Sequence, residues 1–297
     1  MLLQLLTILN IWWGASVGLG HNQPYVEQSE FNLHVQDENN QLVPLFLNSD
    51  GRYRWSDSAF IFSVENGELT TSIPMTEVQA GTTLRDAYMA AQAKYFPATG
   101  TLPDTLFFTM PQYNTWIELM YNQNQADILR YAHAIIDNGF PPGVLMIDDN
   151  WQRYYGNFDF KAERFSDPKA MVDELHALGF KVMLWICPFV SPDSPEYRDL
   201  EAKGYLLKNP HGGTAILNWW NGYSACYDLT NPAAAAHFIS VLKKVQADYG
   251  IDGFKLDAGD NNCYASAPIV AYDKTATTVD HTTSWAKIGL EFPFNEY

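Results

Sequence analysis

Cysteine and positive charge are both scarce in this chain. Three cysteines occur in 297 residues, at Cys187, Cys226 and Cys263. They are odd in number, scattered and without metal-ligand spacing, so neither a disulfide framework nor a zinc site is expected. Eighteen Lys and Arg face 34 Asp and Glu, for a net charge of −16. That balance argues against nucleic acid or an anionic membrane as partner, since both attract basic surfaces. No Lys or Arg precedes Arg52, so the apolar start Met1–Leu9 lacks the basic flank of a signal peptide. It is also too short to span a bilayer. Two readings stay open for it: a signal peptide, making the protein secreted or periplasmic, or a strand of a domain that begins upstream. No other stretch looks transmembrane. The seven His have neither metal nor triad spacing.

Aromatic residues, by contrast, are plentiful, with nine Trp and 17 Tyr. Flat rings suit sugar faces, although most such residues build cores. The order of patterns divides the chain into residues 1–81, 82–104 and 105–297. The first part reads as all-β. Phe31, Leu33 and Val35 alternate, as do Phe60, Phe62 and Val64. Asn66-Gly67 is a hairpin signal, and Asn48-Ser49-Asp50-Gly51 is another turn. A β-sandwich is the expected fold there. Leu84, Tyr88, Ala91 and Tyr95 then fall at helical spacing, and Pro97 stops the run. This helix and the loop after it form the link.

From Thr105 strands and helices alternate. Expected strands are Leu106–Met110, Val144–Asp148, Lys181–Cys187 and Gly253–Asp257. Expected helices are Gln125–Asn138, Pro168–Leu178, Pro195–Lys203 and Pro232–Tyr249, with a further one over Ser284–Leu290. Asp167 or Ser166 before Pro168, and Asn231 before Pro232, fit helix starts with a first-turn proline. Such repetition implies a parallel sheet with right-handed crossovers. Polar and aromatic residues cluster after each strand, as in a (β/α)8 TIM barrel. A doubly wound sheet would gather them too, but no Gly-rich phosphate fingerprint follows any strand. A full barrel needs eight strands, so the chain supplies about its first half.

The stretch Ile251–Asp260 is the chemical centre. Along a strand Lys255 and Asp257 share one face, with Phe254 and Leu256 on the other. Ala258-Gly259 lets the backbone turn away, leaving Asp257 at the strand end. A nearby cation favours an ionised carboxylate, which attack on a sugar carbon requires. The plain alternative is a strand-end ion pair with no catalytic role. Asp148 and Asp149 follow the second strand and are candidates for holding sugar hydroxyls, pointing apart as neighbours do. Their spacing with Asn150, and that of Asp257 to Asn262, does not fit a calcium loop, so no metal is expected. Trp219-Trp220 could stack on sugar or pack in the core.

Together these residues resemble glycoside hydrolase family 31, closest to its bacterial branch with α-galactosidase-like members. The matching segments are Trp12-Trp13-Gly14, Gly51–Ser56, Pro111–Glu118, Gly139–Trp151, Trp185–Phe189 and Gly253–Gly259. The resemblance implies an N-terminal β-sandwich on a (β/α)8 barrel and a retaining mechanism on an α-glycosidic bond, with no cofactor. By position Asp257 matches the nucleophile and Asp148 the acid that contacts sugar hydroxyls. Trp116, Trp151, Trp185 and Lys255 match positions lining the pocket. The family's general acid/base lies on a later strand, in a segment absent from this sequence. Ile147-Asp148-Asp149 and Lys255-Leu256-Asp257 also look like α-galactosidases of the related clan. Galactosides and glucosides are therefore both expected substrates. The competing readings are an α-glucan lyase or transglycosylase on the same fold, and a truncated fragment that at most binds carbohydrate. Asn295-Glu296-Tyr297 looks like mid-domain sequence.

Overall fold

A computed structural model describes residues 10–25, 29–34 and 42–297. The apolar start Met1–Leu9 and the alternating Val35 lie outside the described residues. The chain forms two compact units: residues 1–101 with 260–265 and 277–279, and residues 102–259 with 266–276 and 280–297.

The first unit contains two antiparallel sheets. Its strands are β1 (Trp12–Ser16), β2 (Ser29–Asn32), β3 (Leu42–Asn48), β4 (Arg52–Trp55), β5 (Ile61–Glu65), β6 (Glu68–Thr71) and β7 (Thr76–Gln79). One sheet runs β1-β3-β4-β7 and the other β2-β5-β6. The expected turns are there: Asn66-Gly67 joins β5 to β6, and residues 49–51 join β3 to β4. The alternating aromatics meet between the sheets, with Phe46 of β3 4.7 Å from Phe62 of β5, ring centre to ring centre. The helix α1 (Leu84–Tyr95) starts at Thr83, whose side chain caps the amide of Asp86 while Asp86 caps back. Its Ala87 and Ala91 pack against Leu45 and Tyr53, on the opposite face of the first sheet.

In the second unit the first barrel strand is not where the apolar run suggested. Leu106–Met110 was expected as strand, but Leu106–Thr109 is a short helix, α2. Asp104 explains it: its carboxylate accepts the Leu106 amide at 2.9 Å and fixes a helical start. The strand β8 follows at Gln112–Asn114, and α3 (Trp116–Leu119) comes directly after it. The remaining elements are α4 (Gln125–Asp137), β9 (Val144–Ile147), α5 (Pro168–Ala177), β10 (Lys181–Ile186), β11 (Phe189–Val190), α6 (Pro195–Lys203), β12 (Leu217–Trp219), β13 (Gly222–Cys226), α7 (Pro232–Tyr249), β14 (Gly253–Leu256), α8 (Asn261–Ala265), α9 (Thr278–Ile288) and β15 (Asn295–Glu296). Of these, α8 belongs with the first unit.

Five strands make one parallel sheet in the order β15-β14-β10-β9-β8. Strand β9 is buried at every position and β10 at all but Lys181, which is why both read as continuous apolar runs. Helix starts follow the local chemistry. Asn124, Asp167, Ser194 and Asn231 each accept an amide of the first turn, and Pro168, Pro195 and Pro232 occupy the position where no donor is needed. Each such cap contributes roughly 1 kcal/mol.

The fifth strand, β15, was not foreseen. It lies so close that a Cβ on Gly253 would sit 1.7 Å from the Phe294 carbonyl oxygen. A glycine is required there by contact. Among the described residues no helix is long and apolar enough to cross a membrane.

Candidate active site

The ends of β8, β9, β10 and β14 surround a pocket of about 370 Å³. Its floor carries Asp148, Asp257 and Lys255, and its walls include Trp116 and Trp185. The sheet register dictates this grouping, because Trp185 of β10 pairs with Lys255 of β14.

Asp257 stands directly after β14. Its Oδ2 accepts the Trp185 indole N–H at 2.7 Å, and its Oδ1 accepts the Ala258 amide at 2.9 Å. Lys255 Nζ lies 3.5 Å from the same Oδ2. The backbone then turns through left-handed Ala258 and Gly259, at φ 59° and 77°. Both angles are uncommon for residues with a side chain, and they release the chain from the sheet after one residue.

Asp148 is 3% exposed. Its Oδ2 accepts a hydrogen bond from Lys255 Nζ at 3.1 Å, and its Oδ1 accepts the Asp149 amide at 2.8 Å. Its own amide donates to Thr115 Oγ1, which in turn donates to Gln123 Oε1 at 2.7 Å. Lys255 thus hydrogen-bonds Asp148 and stands a little farther from Asp257. Burial works to lower its pKa, but the charges of Asp148, Asp257 and Glu296 and the Asp148 hydrogen bond together outweigh burial, and the net shift is upward. Lys255 therefore stays a cation at the pocket floor.

Asp149 is also 3% exposed. Its Oδ2 accepts Tyr155 OH at 3.0 Å and Asn221 Nδ2 at 2.9 Å. Its Oδ1 is buried without a hydrogen-bond partner. Desolvation pushes its carboxyl up to about 6, with the Asp148 charge adding and the Tyr155 and Asn221 hydrogen bonds opposing.

The three expected pocket tryptophans and the lysine divide as follows. Trp116, Trp185 and Lys255 line the cavity. Trp151 does not: it is fully buried beneath, and its indole donates to the Trp185 carbonyl at 2.7 Å. It braces the wall instead of forming it. The tandem tryptophans also split, since Trp219 is buried and stacked on Phe189 while Trp220 lines the pocket. Among the described residues, no group of three or more His, Cys, Asp or Glu is placed to hold a metal.

Asn114, within the matching segment Pro111–Glu118, also lines the pocket. Two site residues escaped sequence reasoning: Tyr121 lines the pocket after the first strand end, and Asn221 reaches Asp149 from the hairpin β12–β13. The Asn221-Gly222 dipeptide was a usable hairpin signal. Glu296 of β15 pairs in register with Lys255. Desolvation raises its pKa, with Lys255 opposing.

Comparison with known proteins accords with this arrangement. A model of the glycosyl hydrolases family 31 TIM-barrel domain matches residues 108–289, more than half of the chain. The myogenesis-regulating glycosidase of Mus musculus is 31% identical over 168 residues, covering 56% of this chain and 24% of that protein. An uncharacterized family 31 glucosidase, ORF2 of Pseudescherichia vulneris, is 27% identical over 268 residues, covering 85% of this chain and 50% of that protein. The chain thus spans half the length or less of these relatives. Among solved structures, a GH31 α-xylosidase from a soil metagenome, complexed with xylose, shares the fold at TM-score 0.65 and 23% identity. It is matched over 94% of this chain and 41% of its own. A Flavobacterium johnsoniae GH31 dextranase, complexed with glucose, gives TM-score 0.70 at 15% identity, over 94% of this chain and 36% of its own. The five parallel strands are accordingly part of a (β/α)8 barrel, preceded by a β-sandwich, as the sequence suggested.

Proposed function

This chain belongs to glycoside hydrolase family 31, and we propose that it carries the nucleophilic half of a retaining α-glycosidase acting on α-linked galactosides or glucosides. Asp257 is the nucleophile. The observation that carries the reading is its placement: a carboxylate at a barrel strand end, fixed by the Trp185 indole at 2.7 Å, on the floor of a pocket it shares with Asp148 and Lys255. Asp257 Oδ attacks the anomeric carbon, a C–O ester bond forms, and the bond to the leaving oxygen breaks with its electron pair. Water then cleaves the ester, and two inversions retain the anomeric configuration. Asp148 and Lys255 hold sugar hydroxyls by charge-assisted hydrogen bonds. Trp116 and Trp220 present flat faces to the ring. The general acid/base, which in retaining enzymes stands roughly 5–5.5 Å from the nucleophile, is assigned to none of these 297 residues.

The test follows from that gap. Nitrophenyl leaving groups depart without protonation, so nitrophenyl α-galactoside and α-glucoside report the nucleophile alone. Release of nitrophenol by the chain, abolished in a folded Asp257→Ala variant, is the expected result. Equal release by both proteins would remove Asp257 from this role. Sugar binding without release would favour a carbohydrate-binding reading. An unsaturated or transferred sugar product would identify a lyase or a transglycosylase.

A further inference from the structure

The pocket wall made by α3 and the turn after it is held from beneath by a relay of hydrogen bonds. The relay starts at the Asp148 amide, which donates to Thr115 Oγ1 at 3.1 Å. The Thr115 hydroxyl donates to Gln123 Oε1 at 2.7 Å, and Gln123 Nε2 donates to the Met120 carbonyl at 2.9 Å. Thr115 and Gln123 are both fully buried. The polarity is fixed, because turning the Gln123 amide over would set its oxygen against the Met120 carbonyl, acceptor against acceptor. Met120 stands at φ 47° and ψ −124°, a backbone conformation that suits glycine and is costly for a residue with a side chain. Met120 is 54% exposed, so its own packing does not impose that conformation. The next residue is pocket wall. Tyr121 lines the cavity and stands edge-on to Trp116, with ring centres 4.9 Å apart and planes at 87°. Its hydroxyl donates to Asn221 Oδ1 at 2.8 Å, and its carbonyl accepts Asn150 Nδ2 at 2.7 Å and Arg164 Nη1 at 2.6 Å.

We propose that Gln123, itself too deeply buried to touch a ligand, is a positioning residue for sugar binding: it holds Met120 in the strained conformation that sets Tyr121 against Trp116, and so fixes the Trp116 face that meets the sugar. This rests on the glycosidase reading of the pocket. The angle ψ of Met120 sets the direction of its carbonyl, so the Gln123 hydrogen bond acts on the strained angle directly. Asn150 and Arg164 hold the carbonyl one residue later. The Trp116 amide donates to Asn114 Oδ1 at 2.8 Å, which fixes its backbone and leaves its ring to be set by Tyr121. At its other end the relay is anchored to the backbone of Asp148 on the pocket floor. The floor that holds sugar hydroxyls and the wall that offers a flat ring are thereby kept at one spacing, which lowers the cost of ordering them around a ligand. Without the Gln123 hydrogen bond, Met120 relaxes to ordinary backbone angles, Tyr121 leaves Trp116, and the ring is free to turn.

The experiment uses the whole chain, labelled with 5-fluorotryptophan, and two readouts. In the first, without sugar, the fluorine-19 line of Trp116 is assigned by its loss in Trp116→Phe, and its position without the neighbouring ring is read from Tyr121→Leu. Gln123→Met, close in volume but unable to bridge Thr115 and Met120, should move the Trp116 line to the Tyr121→Leu position while the Trp185 line across the pocket stays in place. Adding Met120→Gly to Gln123→Met should bring the line back, because glycine takes this conformation without being held. A Trp116 line that stays put in folded Gln123→Met, or that glycine does not restore, overturns the proposal. In the second readout, methyl α-galactoside and methyl α-glucoside are titrated calorimetrically. The sugar that binds wild type should bind Gln123→Met about tenfold less tightly, and the combined variant should recover most of that loss. Equal loss in both variants overturns the positioning role alone. Failure of both sugars to bind wild type overturns it together with the glycosidase reading. Gln123→Asn, one methylene too short to reach both partners, replaces Gln123→Met if that variant does not fold and is read in the same way.

Discussion

Replacing Asp149 by asparagine should make the protein more stable and weaken the site. The reasoning is one of linkage. In the folded chain the Asp149 carboxyl is raised from 3.8 to about 6. The unfolded chain releases this proton near the ordinary carboxylate value, whereas the folded chain keeps it. A raised folded-state pKa contributes stability at low pH, and that contribution is lost as pH climbs through about 6. Above that pH wild type carries a buried charge whose cost Asp149→Asn avoids, while the amide oxygen still accepts from Tyr155 and Asn221. The shift of roughly two units corresponds to about 3 kcal/mol. For a domain of this size that is roughly 6–12 °C in melting temperature. The assay is thermal denaturation of both proteins from pH 4 to pH 8, taking the difference so that all other titrations cancel. The gap should open between about pH 4 and pH 6 and stay level above pH 7. A gap independent of pH, or a less stable variant at pH 7.5, would refute the argument. Loss of sugar affinity in the same variant would mark Asp149 as a site where stability is given up for binding.

Lys255→Met should be strongly destabilising, by about 3–5 kcal/mol in chemical denaturation, because Asp148 loses its only cationic hydrogen-bond donor among the described residues and Asp257 its nearest cation. Unchanged stability would show that the lysine does not balance these carboxylates. Asp252 behaves in the opposite sense from Asp149. Burial raises its pKa, but Lys181, the Val182 amide and His176 outweigh burial and the shift is downward. A lowered folded-state value contributes stability above the unfolded carboxylate range that disappears as pH falls. Asp252→Asn should therefore be destabilised at pH 7, with a gap that closes on acidification; a gap that widens instead would contradict the linkage. Gly253→Ala would place a methyl group 1.7 Å from the Phe294 carbonyl oxygen. It should abolish protection of the Phe254 amide, which donates to that oxygen at 3.2 Å, in hydrogen exchange. Retained protection would mean that β15 can shift without cost.

The parts of the fold legible in the sequence were those fixed by local chemistry. Proline after Asp167, Ser194 or Asn231 marked helix starts to the residue, and the buried apolar runs Val144–Ile147 and Val182–Ile186 read as central strands. Strand alternation and the Ala258-Gly259 turn put Asp257 at a strand end without any knowledge of tertiary structure. What stayed hidden depended on one local side-chain hydrogen bond and otherwise on distant partners. Leu106–Thr109 carries strand-like residues, yet a single Asp104 carboxylate turns it into a helix. Strand β15 is two residues long and exists through its register with Phe254 and Lys255. Asn221, which donates to Asp149, also accepts the Tyr121 hydroxyl from 100 positions away, and no spacing rule reaches that far. Trp151 matched a pocket position in the resemblance but packs one layer below, because its indole satisfies the Trp185 carbonyl.

The most direct test of the nucleophile is to trap it. A 5-fluoro-α-glycosyl fluoride, of the galacto or gluco series, loses fluoride without needing a proton donor and leaves a slowly hydrolysed ester on whichever carboxylate attacks. Incubated with the whole chain, it should add one fluorosugar mass, and peptide mapping should place that mass on Asp257. A label on any other residue, or an unchanged label in Asp257→Ala, would contradict the account.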